Sequence, residues 1–477
     1  MRFVYRVWLG AAIAALFAVA WHHMELLGDG FWSMAAGDIV LSSGALPERD
    51  PFAFTSTTAP WILHMPAFQI GAAWLAQHAG LRAVLVVSAL VAATAAVVAW
   101  LPHARTSAAR VVTFPIALYY VLVGADDLSA RGQLFGDLGF ALLLVMLERM
   151  RRAPIANAAP TRGLARARRW LAPLALGAAW ANLHPSFLLA IVVPLAVATV
   201  ELLEPRATRP ALLPFVAFAF VALLGACMNP YSFVLVIDVV KLASDPTTAH
   251  VDLFQSPDFH HIGWLLAPAI ALAIVALRTR FGGARGRRAD VALLVAFVAV
   301  TCVARRYGTM LVAAELMILG RVASEPFVTP AWARTAARPL LAIFTVVQIA
   351  VVAVHARERK DPLFHVPAEA AGIVEAENLP DRVMNPYHWG GYLDWAWQGR
   401  RKVFVDGRNN LFANGTFDDA MRVASLADGW GDLLDMYEIG TVLWENGAPL
   451  DRALAKHPGW QEVHRDRRAV LYVRRPR

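Results

Sequence analysis

The chain of 477 residues is 58% hydrophobic and only 17% charged, too apolar for a water-soluble protein of this size, so a lipid bilayer is its solvent over much of its length. Its formal net charge of +8 does not indicate a nucleic-acid partner, because the basic residues fall in short clusters between apolar runs. Cys227 and Cys302 lie inside apolar runs without CxxC spacing, which argues against a disulfide framework or a cysteine zinc site and makes them packing residues.

A spanning helix needs about 20 mostly apolar residues. About eleven runs qualify as candidates, at 7–26, 81–101, 111–126, 132–148, 170–183, 186–203, 211–228, 262–278, 289–304, 308–320 and 339–355. The first, with Arg2 and Arg6 ahead of it and Ala18-Val19-Ala20 near its end, also fits a cleavable leader. A retained helix is the preferred reading, because the loop behind it is dense in unusual residues and needs an anchor. Even-numbered runs are followed by basic clusters that include Arg105 and Arg110, Arg149 to Arg152, Arg206 and Arg209, Arg278 and Arg280, then Arg321 and Arg334. The positive-inside rule assigns those loops and the amino terminus to the cytoplasm. An odd number of spans then delivers everything after about residue 356 to the periplasm of a Gram-negative inner membrane. The expected organisation is an α-helical integral membrane domain over 1–355, with a first periplasmic loop at about 27–80, and a small soluble α/β domain over 356–477.

Polar signatures gather on that periplasmic side. Ionisable residues at the membrane edge are costly and mark substrate or ion paths. Asp29, in "GDGFW" behind the first run, is placed to accept a proton from an incoming hydroxyl or to hold a divalent cation, and the glycine beside it leaves it adjustable; a helix cap is the plainer alternative. Asp50, in "RDPF", is a second acid whose plainer role is turn initiation. His64 is a candidate for orienting substrate, against the commoner role of an interfacial histidine. Arg131 and Gln133 open the fourth run, and Arg305 and Arg306 close the ninth, on the face where positive charge is disfavoured. A lipid phosphate held by guanidinium forks explains that placement. Asn182 and His184, in "WANLHPSF", interrupt two runs with irregular backbone, which at membrane depth lines a wet cavity or is buried in protein.

In the tail, "RVMN", "KVFVD", "TVLW", "WQEVH" and "AVLYVRR" read as strands and "GGYLDWAWQ" and "WGDLLDMYEIG" as helices, ending in a hairpin around Asp466 and Arg467. Trp389 and Tyr392 in "HWGGYLDW", with Asp406 and Arg408 in "VDGRNN", are candidates for the acceptor side, against a glycine turn packed with aromatics.

The succession "GDGFWSMAAGDIVLSSGALPERDPFAFTSTTAPWILHMP", "ARGQLF", "WANLHPSF", "MNPYSF", "ARRYG", "WGGYLDW" and "KVFVDGR" resembles bacterial polytopic proteins of the GT-C glycosyltransferase superfamily. The resemblance implies transfer of a sugar from a polyprenyl-phosphate carrier to an envelope glycan, lipid or protein acceptor, with Asp29 as the principal acid, Asp50 as a second, and magnesium or manganese as a possible cofactor held at Asp29. The chain departs from that group in reading Phe31-Trp32-Ser33 in place of WWH and Met65 in place of an acid. A lipid-linked glycan transporter and a catalytically inactive envelope-binding protein are the competing readings.

Overall fold

A computed structural model describes residues 2–56, 60–124, 128–152, 164–204, 212–243, 254–281, 287–325, 361–412 and 414–476, with isolated positions between 343 and 350. The first 325 residues form a helical bundle: α1 (Arg2–His23), α2 (Gly28–Ser43), α3 (Pro66–Ala79), α4 (Leu81–Trp100), α5 (Ser107–Leu122), α6 (Gln133–Arg152), α7 (Leu164–Leu183), α8 (Leu189–Glu201), α9 (Leu213–Ala226), α10 (Phe233–Ala243), α11 (Ile262–Phe281), α12 (Arg287–Val303) and α13 (Gly308–Ala323). The presumed first loop is therefore largely the helices α2 and α3. In α4 the alanine face, Ala89, Ala92, Ala96 and Ala99, is buried while Val86, Val87 and Leu90 stay exposed. Small residues inward and branched ones outward are what a helix needs when its outer solvent is lipid.

Among the described residues, three helices are long and apolar enough to cross a membrane, over Phe3–His23, Leu81–Trp100 and Ile262–Arg280, and three shorter apolar ones cover Ser107–Leu122, Pro185–Glu201 and Leu213–Ala226. The protein is a multi-pass membrane protein, but the expected count of about eleven spans is not reached on these criteria. Part of the reason is length, since α12 and α13 run for only 17 and 16 residues, and part is polar interruption: α6 carries Asp137 and Glu148, α12 carries Asp290, and α13 carries Glu315 and Arg321, all turned into the bundle. The run at 339–355 and the domain boundary near 356 lie outside the described residues.

Two features fix the bundle. At the crossing of α7 and α9 the backbones touch, so that a Cβ on Gly177 would lie 2.0 Å from the Ala222 carbonyl oxygen and one on Gly225 2.1 Å from that of Leu174. At the ends of α6, α11 and α13 and the start of α12, the buried Asp290 accepts from Arg151 at 2.6 Å, Arg278 at 2.7 Å and Arg321 at 2.9 Å. Arg151 also donates to the buried Glu201 of α8 at 3.1 Å. Three arginines counted as basic-loop residues thus turn inward and tie five helices together.

The tail holds a four-stranded sheet, β1 (Val383–Met384), β2 (Thr441–Glu445), β3 (Trp460–Arg465) and β4 (Ala469–Arg474), in the order β1-β2-β4-β3. β1 and β2 are parallel and the other pairs antiparallel. Asp466 turns the final hairpin as expected, accepting from the amides of Arg468 and Ala469 at 2.6 and 2.8 Å. The expected strand "KVFVD" contributes a single bridging residue, Val403, paired on one side with Val383 and on the other with Ala53. The Val403 amide donates to Phe52 at 3.0 Å and its carbonyl accepts from Phe54 at 3.2 Å. The segment after Asp50 therefore extends the tail's sheet, and bundle and tail share one hydrophobic core.

Candidate active site

Asp29 stands in the first turn of α2 but does not cap it. Its Oδ1 accepts from the Trp32 indole at 3.2 Å, its Oδ2 lies 3.5 Å from Arg131 Nη1, and its side chain is 40% exposed. Gly30 gives no freedom here, contrary to expectation: a Cβ would fall 2.6 Å from the Ala130 carbonyl oxygen, so the backbone is wedged. Glu25 sets that contact by exchanging backbone hydrogen bonds with Leu128 and Ala130 at 3.1 and 2.8 Å. These bonds bring Arg131, at the foot of α6, to Asp29.

Beside this pair opens a cleft of about 430 Å³ including its mouth, lined by Arg131, Gln133, Asp137, Arg305, Arg306 and Thr309 with apolar neighbours that include Trp264. Arg306 donates to Gln133 Oε1 at 3.1 Å and lies 4.2 Å above the Phe254 ring. Gln133 and Thr309 both donate to Asp137 Oδ1, at 3.2 and 2.9 Å. The structure brings together four of the expected lipid-phosphate residues, Arg131, Gln133, Arg305 and Arg306. It adds Asp137 and Thr309, which the sequence reading missed. The signal for Asp137 was present: a carboxylate inside an apolar run, four residues after Gln133 and so on the same helix face.

Other expected residues have structural partners and are not among those lining the cleft, although His184 lies against the first turn of α6, where a Cβ on Gly136 would sit 2.7 Å from its Nδ1. His64 reaches Asp238 of α10 at 2.7 Å. Asn182 donates to the carbonyls of Ala178 and Met228 at 2.8 and 2.9 Å, joining "WANLHPSF" to "MNPYSF". His184 caps the 3-10 turn Pro185–Leu188, accepting at Nδ1 from the Ser186 amide at 3.2 Å.

The tail residues are interior. The helix Tyr387–Trp397 lies so close to α2 that a Cβ on Gly391 would sit 2.2 Å from the Gly28 carbonyl oxygen. Tyr392 packs edge-on against Phe31 at 5.1 Å, and the Trp389 indole donates to the His365 carbonyl at 3.3 Å. Both are at most 5% exposed. Asp50 accepts from the amides of Phe52 and Ala53 at 3.0 and 3.2 Å, the turn its sequence suggests, and also from Arg408 Nη1 at 2.6 Å. Arg408 holds Asp406 through Nε at 2.9 Å and Nη2, stands 3.9 Å from Asp394, and lies 4.7 Å over the Trp61 ring. Burial opposes the Arg408 charge, but the carboxylates of Asp406 and Asp50 outweigh it and raise its pKa. Burial, then the charge of Asp406, pushes the Asp394 carboxyl well above the usual carboxylate range. Asp29 and Asp50 are joined through this loop, since a Cβ on Gly407 would lie 2.7 Å from Asp29 Oδ1 and 3.1 Å from Trp32 Nε1.

The immediate partners of Asp29 are hydrogen-bond donors, an indole N–H and a guanidinium, so the described residues around it do not form the set of oxygen ligands that magnesium or manganese takes. One group that could coordinate a metal, Glu369, His464 and Asp466, has its ligand atoms within 4.8 Å of one another. It belongs to the tail and does not include Asp29.

No family model and no curated protein matches this sequence. Among solved structures, ArnT from Cupriavidus metallidurans in the apo state is similar over 98% of this chain and 96% of its own, with a TM-score of 0.55 and 16% identity. The same enzyme bound to undecaprenyl phosphate matches with a TM-score of 0.54 and 14% identity over 98% of this chain and 97% of its own. The oligosaccharyltransferase AglB from Archaeoglobus fulgidus, in complex with an inhibitory peptide and a dolichol-phosphate, matches over 92% of this chain and 69% of its own, with a TM-score of 0.54 and 10% identity. The chain thus shares the overall fold of ArnT over nearly its whole length and that of AglB over most of it.

Proposed function

We propose that the protein is a GT-C-type glycosyltransferase that takes a sugar from a polyprenyl-phosphate carrier and transfers it to an envelope glycan, lipid or protein acceptor on the periplasmic side of the inner membrane. The observation that carries this reading is the convergence of Arg131, Arg305 and Arg306 on one cleft, with Asp29 at 3.5 Å from Arg131. In this reading the carrier phosphate sits among the guanidiniums, whose paired N–H groups match phosphate oxygens. Asp29 takes the proton of the acceptor hydroxyl as its oxygen bonds to the anomeric carbon. The bond from that carbon to the phosphate oxygen breaks, and the arginines compensate the charge left on the departing phosphate. No step requires a bound cation. The solved complexes of ArnT with undecaprenyl phosphate and of AglB with dolichol-phosphate support a lipid-phosphate ligand for this fold.

The test uses the full-length protein in lipid nanodiscs with undecaprenyl phosphate carrying labelled glucose as donor probe, and measures release or transfer of the label. Asp29→Asn is expected to lower the rate by two orders of magnitude or more while undecaprenyl phosphate still binds. Arg306→Gln is expected to weaken that binding at least tenfold. Full activity of Asp29→Asn would refute the assignment.

A further inference from the structure

Among the described residues, three groups crowd Asp29: the Trp32 indole, the Arg131 guanidinium and the backbone at Gly407. The third comes from the tail, 378 residues further along the chain by the numbering. Gly407 lies between the two residues of the buried clamp, Asp406 and Arg408, and Arg408 is locked to Asp50 at 2.6 Å. Both clamp side chains of the Asp50–Arg408 pair are 2% exposed. The loop is braced on its other side by Asn385, whose amide donates to the Val405 carbonyl at 2.9 Å and accepts from the Phe404 amide at 2.8 Å. Tyr387 donates to Asn409 at 2.8 Å. The segment around Gly407 is therefore held by Asp50 through Arg408 and by Asn385 and Tyr387 through Phe404, Val405 and Asn409, and Gly407 itself has no side chain where one would strike the Asp29 carboxylate.

We infer that Gly407 is a positioning residue for Asp29, and that the Asp50–Arg408–Asp406 clamp holds it there, so that the tail forms one wall of the reaction site. This assigns Asp50 a role through Arg408 rather than on the substrate. The inference rests on the reading of Asp29 given above. Displacing a reacting carboxylate by about 1 Å costs on the order of a hundredfold in rate, and a methyl at 407 must displace either the loop or the carboxylate by about that much.

The experiment compares Gly407→Ala, Arg408→Lys, Asp29→Asn and Gly431→Ala in the full chain, with undecaprenyl-phosphate-linked labelled glucose as probe. A Cβ on Gly431 meets nothing within 4 Å, so Gly431→Ala reports the effect of adding a methyl as such. Gly407→Ala is expected to lower kcat tenfold or more with KM for the donor within twofold, and to shift the pH profile of kcat. Arg408→Lys, which keeps the charge but loses the fork, is expected to move kcat and its pH profile in the same direction by a smaller factor. A merely structural role would reduce the amount of folded protein and leave the KM and pH profile of the remainder unchanged; that outcome overturns the inference. So does a wild-type kcat in Gly407→Ala when Asp29→Asn is inactive. Full activity in Asp29→Asn overturns the reading of Asp29 and this inference with it.

Discussion

Arg408 of the tail and Asp50 of the segment between α2 and α3 meet at 2.6 Å with their side chains almost wholly out of solvent. The same guanidinium serves Asp406 and faces Asp394, so one cation answers for three carboxyl groups. Arg408→Ala should therefore be among the most damaging substitutions in the protein, destabilising the docked tail by about 3–5 kcal/mol, because it leaves buried acids uncompensated. Thermal unfolding of the purified protein and protease sensitivity of the tail measure this; an unchanged melting temperature would contradict the clamp.

Asp394 makes the same junction sensitive to pH. Burial and Asp406 raise its pKa above the ordinary value of 3.8, so between that value and the raised one the folded state binds more protons than the unfolded state. Stability then falls as pH rises through the window and is greatest at its acidic end. Protection of the helix Tyr387–Trp397 against hydrogen exchange, corrected for the intrinsic pH dependence of amide exchange, should fall as pH rises above 3.8, and Asp394→Asn should flatten that dependence. Asp451 works in the opposite sense: hydrogen bonds from Arg465 hold its pKa at about 2, so its contribution is complete above the ordinary value and is lost only as pH falls toward 2.

At the other end of the bundle, Asp290→Ala removes the shared acceptor of Arg151, Arg278 and Arg321. Loss of about 3–5 kcal/mol is expected from the arginines stranded together, read as a lowered melting temperature in detergent. Asp290→Asn should recover only part of it, since the amide keeps a hydrogen-bond acceptor but not the charge.

Glycines separate into two kinds. Gly225→Val at the α7–α9 crossing should destabilise by several kcal/mol, since its Cβ has only 2.1 Å to the Leu174 carbonyl oxygen. Gly372→Ala, in the middle of the helix Ala368–Ala376 with nothing within 4 Å of the new methyl, should stabilise by about 0.5–1 kcal/mol. Melting temperatures of the two variants should move in opposite directions.

The apolar runs, the tail's sheet and the arginine cluster were legible because each rests on a local pattern: hydropathy, alternation, or charge where charge is disfavoured. Asp29 was legible for its position directly behind a run. The partner of Asp50 was not, because its pairing with Arg408 spans 358 residues and no local period encodes it. The partners of His184 and Asn182 were not legible for a related reason. Their backbone is irregular at membrane depth, but they satisfy their own turns and a neighbouring helix end, and a sequence does not distinguish a polar residue that lines a cavity from one that closes a corner. Asp137 was overlooked because hydropathy averaged it away.

The bridge from Ala53 to Val403 has a consequence for how the protein is made. Val403 occupies the margin of the tail's sheet, and in the finished molecule that margin is covered by chain synthesised hundreds of residues earlier. A tail expressed by itself would present a bare hydrogen-bonding rim, the feature through which sheets recruit strangers and precipitate. The amino-terminal half thus chaperones its own distant end, and soluble fragments intended for crystallisation should carry residues 50–56 in cis or in trans.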